Sequence, residues 1–142
     1  LYDSNAVLWS NNVKQVVGPM GYILPPSEIR ALETLNDKEK IDFVVHYWKD
    51  KDPNKDTEKN ELLIEFSNRF NFANENLSDI TGSGWSTHRG EIYMIYGEPE
   101  STDTYSNRQD NTVVEVWKYP SGFEFVFENK FGSFILVRKS II

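Results

Sequence analysis

The chain has 142 residues, no cysteine and a formal net charge of −7. This length is typical of one domain with its own core, and the lack of cysteine excludes disulfides and thiolate metal sites. The acidic charge argues against a nucleic-acid partner, because phosphates attract a basic surface. No apolar run reaches the roughly 20 residues of a membrane-spanning helix. Four Trp, seven Tyr and nine Phe residues indicate a firm core.

The N-terminal region has weak periodicity and several turn-forming residues. Residues 1–20 are predicted to be an N-terminal arm or linker, and residues 21–142 to be a single α+β domain. Within the arm, Val13, Val16 and Val17 fit either a short strand or a helical turn that ends at Gly18-Pro19. Ser27 is a candidate N-cap for a short helix through Thr34.

Two longer amphipathic helices follow. The first begins after Asn36 or Asp37, ends before Pro53, and has an apolar face at helical spacing. That face is formed by Ile41, Val44, Val45 and Trp48. The second is predicted to have Thr57 as its cap, with Asn60 at the third helical position. Its apolar face is formed by Leu63, Phe66, Phe70, Ala73 and Leu77.

The segment 84–99 joins the helical half to the strand-rich half and carries three glycines and a proline. Residues 92–96 fit a buried strand, or a short helix capped by Ser86 or Thr87. In the helical alternative, Ile92, Ile95 and Tyr96 form the apolar stripe. Gly97 then follows the helix, with Pro99 just beyond, and this ending favours the helix.

The last third of the chain alternates in the manner of strands. Residues 100–111 are polar and without pattern, and are predicted to be a long loop. Three strands are predicted after it, at 112–119, 123–129 and 133–139, with connections of hairpin length. The expected architecture is N-terminal helices packed on a C-terminal three-stranded antiparallel meander, with a short central helix.

The run Gly84-Trp85-Ser86-Thr87-His88-Arg89-Gly90 resembles the signature of the GWxTD domain, a bacterial family named for that motif. The likeness extends over about residues 22–137. Further positions that match the family are Asp52, Asn60, Glu61, Arg69, Tyr96, Gly97, Pro99 and Trp117. His88 departs from the pattern, because the family has aspartate there, so a role that needs a carboxylate at this position is not expected.

The resemblance implies a secreted or envelope-associated bacterial protein, in the periplasm or at the outer membrane, and it implies no particular chemistry. A weaker, fold-level likeness connects the order of elements to the small lipoprotein of the outer-membrane β-barrel assembly machine. The leading hypothesis is therefore a non-enzymatic interaction or structural module that binds another envelope protein and needs no cofactor. Its working surface is predicted at residues 84–89, at residues 98–111 and along the edge of the last strand.

A calcium-stabilised module is one alternative. Residues 50–61 overlay the spacing of an EF-hand loop, with Asp50, Asp52, Asn54 and Glu61 as ligands. The sharp turn of that loop wants glycine where this chain has Lys55. A solvated capping loop explains the same residues without a metal ion, and is the preferred interpretation.

A hydrolase-like enzyme is the other alternative, built on His88 and Glu91 beside the hydroxyls of Ser86 and Thr87. A catalytic histidine needs an orienting partner and a nucleophile within hydrogen-bond reach, and the sequence marks neither. The simpler expectation is that Arg89 forms an at least half-buried ion pair, with Glu61 as its acceptor.

The remaining histidine and the tryptophans have structural interpretations. His46 is expected to be packed against or beside an apolar helix face. Trp48 and Trp117 are assigned to the core, where large aromatic groups contribute most. Trp85 follows a glycine-rich loop and is expected to be partly exposed.

Overall fold

The computed structural model describes residues 8–56, 59–120 and 122–141. These residues form five α-helices, one 3-10 turn and a four-stranded antiparallel sheet, so the predicted α+β class is confirmed. The chain forms two compact units, Leu1–Asn71 and Phe72–Ile142. The predicted domain boundary between residues 20 and 21 stays a prediction.

The first unit is helical. Its helices are α1 (Val13–Met20), α2 (Pro26–Glu33), α3 (Asp37–Lys51) and α4 (Glu61–Asn76). The last turns of α4, from Phe72 onward, belong to the second unit. Within the described residues, no helix is both long and apolar enough to cross a membrane.

The two short helices begin in different ways. The side chain of Asn12 accepts hydrogen bonds from the next turn and starts α1, which buries Val16 and Met20, so the helical alternative for this segment is correct. Its predicted end at Gly18-Pro19 is wrong, because α1 continues through Pro19 to Met20. Ser27 is not an N-cap, because α2 already begins at Pro26. A proline at the first helical position has its φ preset for the helix and loses no intrahelical bond.

The starts of α3 and α4 are fixed by asparagines. Asn36 caps α3 in a reciprocal capping box with Glu39. Of the two alternatives predicted for this cap, Asn36 and Asp37, the first is therefore correct. Asn60 lies directly before α4 and its Oδ1 accepts the N–H of Leu63, so Asn60 is the cap and not the third helical residue. The predicted cap Thr57 lies outside the described residues.

The predicted apolar faces of α3 and α4 are largely correct. Val44 and Trp48 are buried on α3. All five residues assigned to the face of the second long helix are buried, although Leu77 lies just past its end. His46 is not packed as expected, since it is exposed on α3 with its Nε2 3.4 Å from an oxygen of Asp50.

The second unit combines a helix with the sheet. Its elements are a 3-10 turn (Gly84–Ser86), α5 (His88–Tyr96), β1 (Ser101–Asn107), β2 (Thr112–Lys118), β3 (Phe123–Asn129) and β4 (Phe134–Ile141). The strands lie in the order β1-β2-β3-β4, with every neighbouring pair antiparallel.

The predicted three-stranded meander is wrong by one strand. Residues 101–107, predicted as loop, form β1, which pairs with β2 from Ser101 opposite Lys118 to Asn107 opposite Thr112. Every β1 residue except Asp103 is exposed, so the strand has no apolar alternation that a sequence pattern could reveal. Its place in the sheet follows from its register with β2.

The core of the second unit lies on one face of the sheet. It joins the end of α4, the buried face of α5 and large aromatic groups from β2, β3 and the residue after β2. Its buried members are Ala73, Leu77, Ile92, Tyr93, Trp117, Tyr119, Phe125 and Phe127. Trp48 in the first unit and Trp117 here are both buried, as predicted.

Candidate functional site

Two glycines of the central segment lie where no side chain fits. A Cβ built on Gly84 would be 1.7 Å from the carbonyl oxygen of Ala73, and one built on Gly90 would be 1.5 Å from the carbonyl oxygen of Gly84. Both obstacles are backbone, which cannot swing aside as the end of a side chain can. The 3-10 turn therefore packs directly on the end of α4, and α5 packs directly on the 3-10 turn.

Thr87 connects the same three elements by hydrogen bonds. Thr87 is only 2% exposed. Its hydroxyl oxygen lies 2.9 Å from the carbonyl oxygens of both Leu77 and Gly84. It also accepts the N–H of Gly90 and so caps α5, as one of the two predicted caps. The backbone N–H of Trp85 donates to Oδ1 of Asn74 on α4.

The C-terminal end of α5 is also fixed. Gly97 stops the helix with a φ of 81°, which glycine adopts without strain, and its carbonyl accepts the hydroxyl of Tyr119. The predicted helix is therefore confirmed, but its stripe is partly wrong. Ile95 is exposed, whereas Tyr93 and Met94 are buried with Ile92, and Tyr96 is half-buried.

Arg89 pairs with Glu115 on β2, not with the predicted Glu61. Its Nη1 lies 3.3 Å from Oε1 of Glu115, and both side chains are mostly buried. The same carboxylate accepts the indole N–H of Trp117 at 2.6 Å. The guanidinium also lies 4.0 Å from the ring centre of Phe134 on β4. Because the guanidinium and the carboxylate pair with each other, they link α5 to the sheet without leaving an unpaired buried charge.

His88 binds the edge strand β4. Its Nδ1 accepts the backbone N–H of Leu136 at 2.8 Å, next to an irregularity in the β3–β4 register between Val126 and Phe127. A bulge of this kind turns a backbone group away from the ladder, and the imidazole supplies the missing acceptor. The residue that departs from the family pattern thus has a structural partner.

A family model, that of the GWxTD domain, matches residues 9–140. The chain belongs to the GWxTD domain family. No curated protein and no solved structure matches the chain at a significant level. In the signature segment of this GWxTD domain, glycine, threonine, arginine and histidine each connect α5 to a neighbouring element.

The hydroxyls of Ser86 and Thr87 in this GWxTD domain lie in bonds that do not involve His88. Ser86 Oγ donates to the carbonyl of Ser83, and Thr87 is occupied as described above. Three cavities found among the described residues are lined without His88 or Glu91. A nucleophile in contact with His88 is thus not assembled from these residues, and the hydrolase alternative stays a prediction.

The loop proposed for calcium is held by its own turns. Asp52 Oδ1 accepts the N–H of Asn54, and Asn54 Oδ1 accepts the N–H of Asp56. Asp50 lies beside His46. Within the described ranges, no three acidic or histidine side chains are grouped to hold a metal ion. The observed bonds are those of a capping loop, the preferred interpretation.

The predicted site residues fall into two groups. One group surrounds α5 in the second unit: Gly84, Trp85, Thr87, His88, Arg89, Gly90, Tyr96, Gly97, Pro99 and Trp117. The other group, Asp52, Asn60, Glu61 and Arg69, lies in the first unit. There Asn60 also donates to the carbonyl of Trp48, and Arg69 binds Glu65 one turn earlier on α4.

Trp85 is half-buried, as predicted. Sequence reasoning missed the acceptor roles of Glu115 and Asn74. It also missed a cavity in the first unit beside Trp9 and Trp48. The available signal was the group of lysines around the loop, of which Lys49, Lys55 and Lys59 line this cavity.

Two cavities of the first unit differ in charge. Among the described residues, the cavity beside Trp48 is lined by three lysines and one aspartate. The other, of about 870 Å³, is lined by Glu28, Glu39, Asp42 and Asp50, and by Lys51 as its one lysine in the described part of the chain. Burial, and then the negative charge of Glu28, raise the pKa of Tyr47 in this second cavity. The two cavities therefore favour ligands of opposite charge.

Proposed function

We propose that this chain is a non-enzymatic protein-interaction module, and that its partner is another protein of the bacterial envelope. The polar groups of the GWxTD segment support this proposal, because they are bonded within the second unit. Thr87, Arg89 and His88 all hold α5 in place. Because the polar side chains of this segment are used to hold the fold, we expect a partner to bind another surface of the second unit.

The observation that carries the proposal is the open side of β1. This strand is at the edge of the sheet, and no further strand pairs with it in the described part of the chain. All of its residues except Asp103 are exposed, and Tyr105 is 59% exposed. An edge strand presents unpaired N–H and C=O groups to which a partner's strand can bind.

The other edge, β4, was the predicted docking strand and is indeed at the edge of the sheet. Its Leu136 amide already binds His88, and α5 lies against this strand. Strand addition needs backbone groups that are free along the edge. We therefore place the docking edge on β1. The location in the envelope rests on the family resemblance alone.

Site-specific crosslinking tests this proposal, because the chain has no cysteine of its own. A photoreactive group is attached to Tyr105→Cys on β1 and, as a matched control, to the exposed Glu33→Cys on α2. Both proteins are irradiated in a bacterial envelope extract. We expect a defined crosslinked product from the β1 position that is absent from the α2 position. Equal labelling from both positions, or no product from β1, would reject the β1 edge as the docking site.

A further inference from the structure

The cavity beside Trp48 has the size of a ligand-binding site. Its volume is about 770 Å³, and ligand pockets typically have volumes of roughly 300–1,000 Å³. It lies in the first unit, against α3, the first part of α4 and the residues before α1. None of the residues used for the proposed interaction surface lines it.

Aromatic and aliphatic groups form its apolar wall. The rings of Trp9 and Trp48 meet edge to face, with 6.3 Å between their centres. Val45 on α3 and Leu63 and Ile64 on α4 continue the wall, and Ile64 is 42% exposed. A mostly apolar wall with a few polar groups is typical of sites for small molecules.

The charge around this wall is positive. Lys49, Lys55 and Lys59 line the cavity, and Asp52 is the one acidic side chain among the described residues that line it. Asp52 also accepts a backbone N–H from Asn54, which occupies part of its carboxylate. This local excess of positive charge contrasts with the net charge of −7 for the whole chain. An anion is therefore attracted here and repelled by most of the remaining surface.

An unsatisfied donor provides an independent observation. The indole Nε1 of Trp48 is buried and has no hydrogen-bond partner among the described residues, and the residue is 6% exposed. An indole N–H can only donate, and buried polar groups in folded proteins are nearly always bonded. What is missing is an acceptor, which an anionic ligand in the cavity supplies when the atoms covering this N–H move aside.

We propose that this cavity binds a small anionic amphiphile, of the class of fatty-acid carboxylates. The hydrocarbon part lies on the wall of Trp9, Trp48 and Ile64. The carboxylate is neutralised by Lys55 and Lys59 and supplies an acceptor oxygen for the indole of Trp48. The acid-lined second cavity repels the same ligand, so one molecule binds per chain.

Calorimetric titration with dodecanoate, below its micellar concentration, tests the charge requirement. We expect saturable binding of one dodecanoate per chain. The double variant K55Q/K59Q should weaken it at least about tenfold, which corresponds to 1.4 kcal/mol. The control K14Q/K38Q removes the same charge from surface positions outside the cavity and should leave the affinity unchanged. No saturable binding, or equal weakening by both variants, would overturn the proposal.

Two further probes separate the parts of the ligand. Acetate carries the charge without the chain, and octyl glucoside carries a chain without the charge. Both should bind at least about tenfold more weakly than dodecanoate, since each lacks one contact surface. If octyl glucoside binds as well as dodecanoate, the cavity does not select anions and the proposal fails.

The chemical shift of the Trp48 indole N–H distinguishes binding in this cavity from nonspecific binding elsewhere on the protein. In a proton–nitrogen correlation spectrum, its Nε1–H signal is assigned by its loss in W48F. We expect this signal to shift downfield on addition of dodecanoate, because the N–H gains an acceptor. The variant S67F places a ring at a lining position and should abolish both the shift and the binding while circular dichroism shows an intact fold. A shift that persists in S67F would contradict the assigned site.

Discussion

Two consecutive stretches of the chain, 84–99 and 100–111, are held in place by different means. The first is fixed by close backbone contacts and buried hydrogen bonds around Gly84, Thr87 and Gly90. The second contains β1, which is exposed along nearly its whole length and is fixed by backbone pairing with β2. Side-chain identity thus matters greatly in the first stretch and little in the second. Substitutions in each stretch test this difference.

The largest effect is expected for Gly90→Ala. The added methyl group would meet the carbonyl of Gly84, which is backbone, so α5 or the 3-10 turn must move. We expect a loss of about 4 kcal/mol in the free energy of unfolding, in the range reserved for severe core disruption. Urea denaturation followed by circular dichroism measures it.

Gly21→Ala is the matched control. Gly21 has a helical φ of −60°, and a Cβ there would lie 3.2 Å from the nearest atom, the carbonyl oxygen of Gly18. The same methyl group should change the unfolding free energy by less than about 0.5 kcal/mol. If Gly90→Ala proves as mild as Gly21→Ala, close backbone packing does not explain the glycines of the signature.

Thr87→Val keeps the shape of the side chain and removes its hydroxyl. The carbonyls of Leu77 and Gly84 then share no donor, and the N–H of Gly90 loses its cap. We expect a loss of about 2 kcal/mol, because a helix cap and a buried hydrogen bond disappear together. Thr34→Val removes an exposed hydroxyl that donates to Ala31, and should have a much smaller effect in the same denaturation experiment.

The same difference between local and long-range contacts explains which parts of the fold could be predicted from the sequence. The apolar face of α4 and the cap and end of α5 depend on neighbours within a few residues along the chain, so spacing reveals them. β1 was missed because its stability comes from a register with β2, which no local pattern encodes. The buried face of α5 was only partly predicted, since Tyr93 and Met94 are buried by the shape of the second unit rather than by a regular stripe.

Glu115→Gln tests a partner that the sequence did not identify. Arg89 and Glu115 are 26 residues apart in sequence and meet only through the fold. The amide still accepts the indole N–H of Trp117 but leaves the guanidinium without its counter-charge. We expect a loss of about 1–2 kcal/mol, less than for a fully buried pair.

Lys118→Gln is the surface counterpart. Its ammonium lies 3.9 Å from Asp103 on β1, and both side chains are about half exposed. Exposed pairs contribute roughly 0–1 kcal/mol, so the loss should be smaller than for Glu115→Gln in parallel urea titrations. Equal losses would mean that the Arg89 pair is no more important than a surface pair.

His88→Asp restores the residue of the family pattern. An aspartate at the first position of α5 retains an acceptor for the Leu136 amide and adds a negative charge near the positive end of the helix dipole. We expect a gain of about 0.5 kcal/mol at neutral pH. His46→Asp instead places a like charge one turn from Asp50 on α3 and should be slightly destabilising. A loss for His88→Asp would show that the imidazole has a role that a carboxylate cannot fill.

The smallest effect is expected for Tyr105→Thr on β1. Tyr105 lies opposite Val114 and is 59% exposed, and threonine is also a good strand former. The unfolding free energy should change by less than about 0.5 kcal/mol. Such tolerance would mean that the fold does not require a large aromatic group at this open sheet edge, which supports the docking role proposed for β1. A loss above about 1.5 kcal/mol would instead make β1 as dependent on its side chains as the GWxTD segment, and would remove that argument.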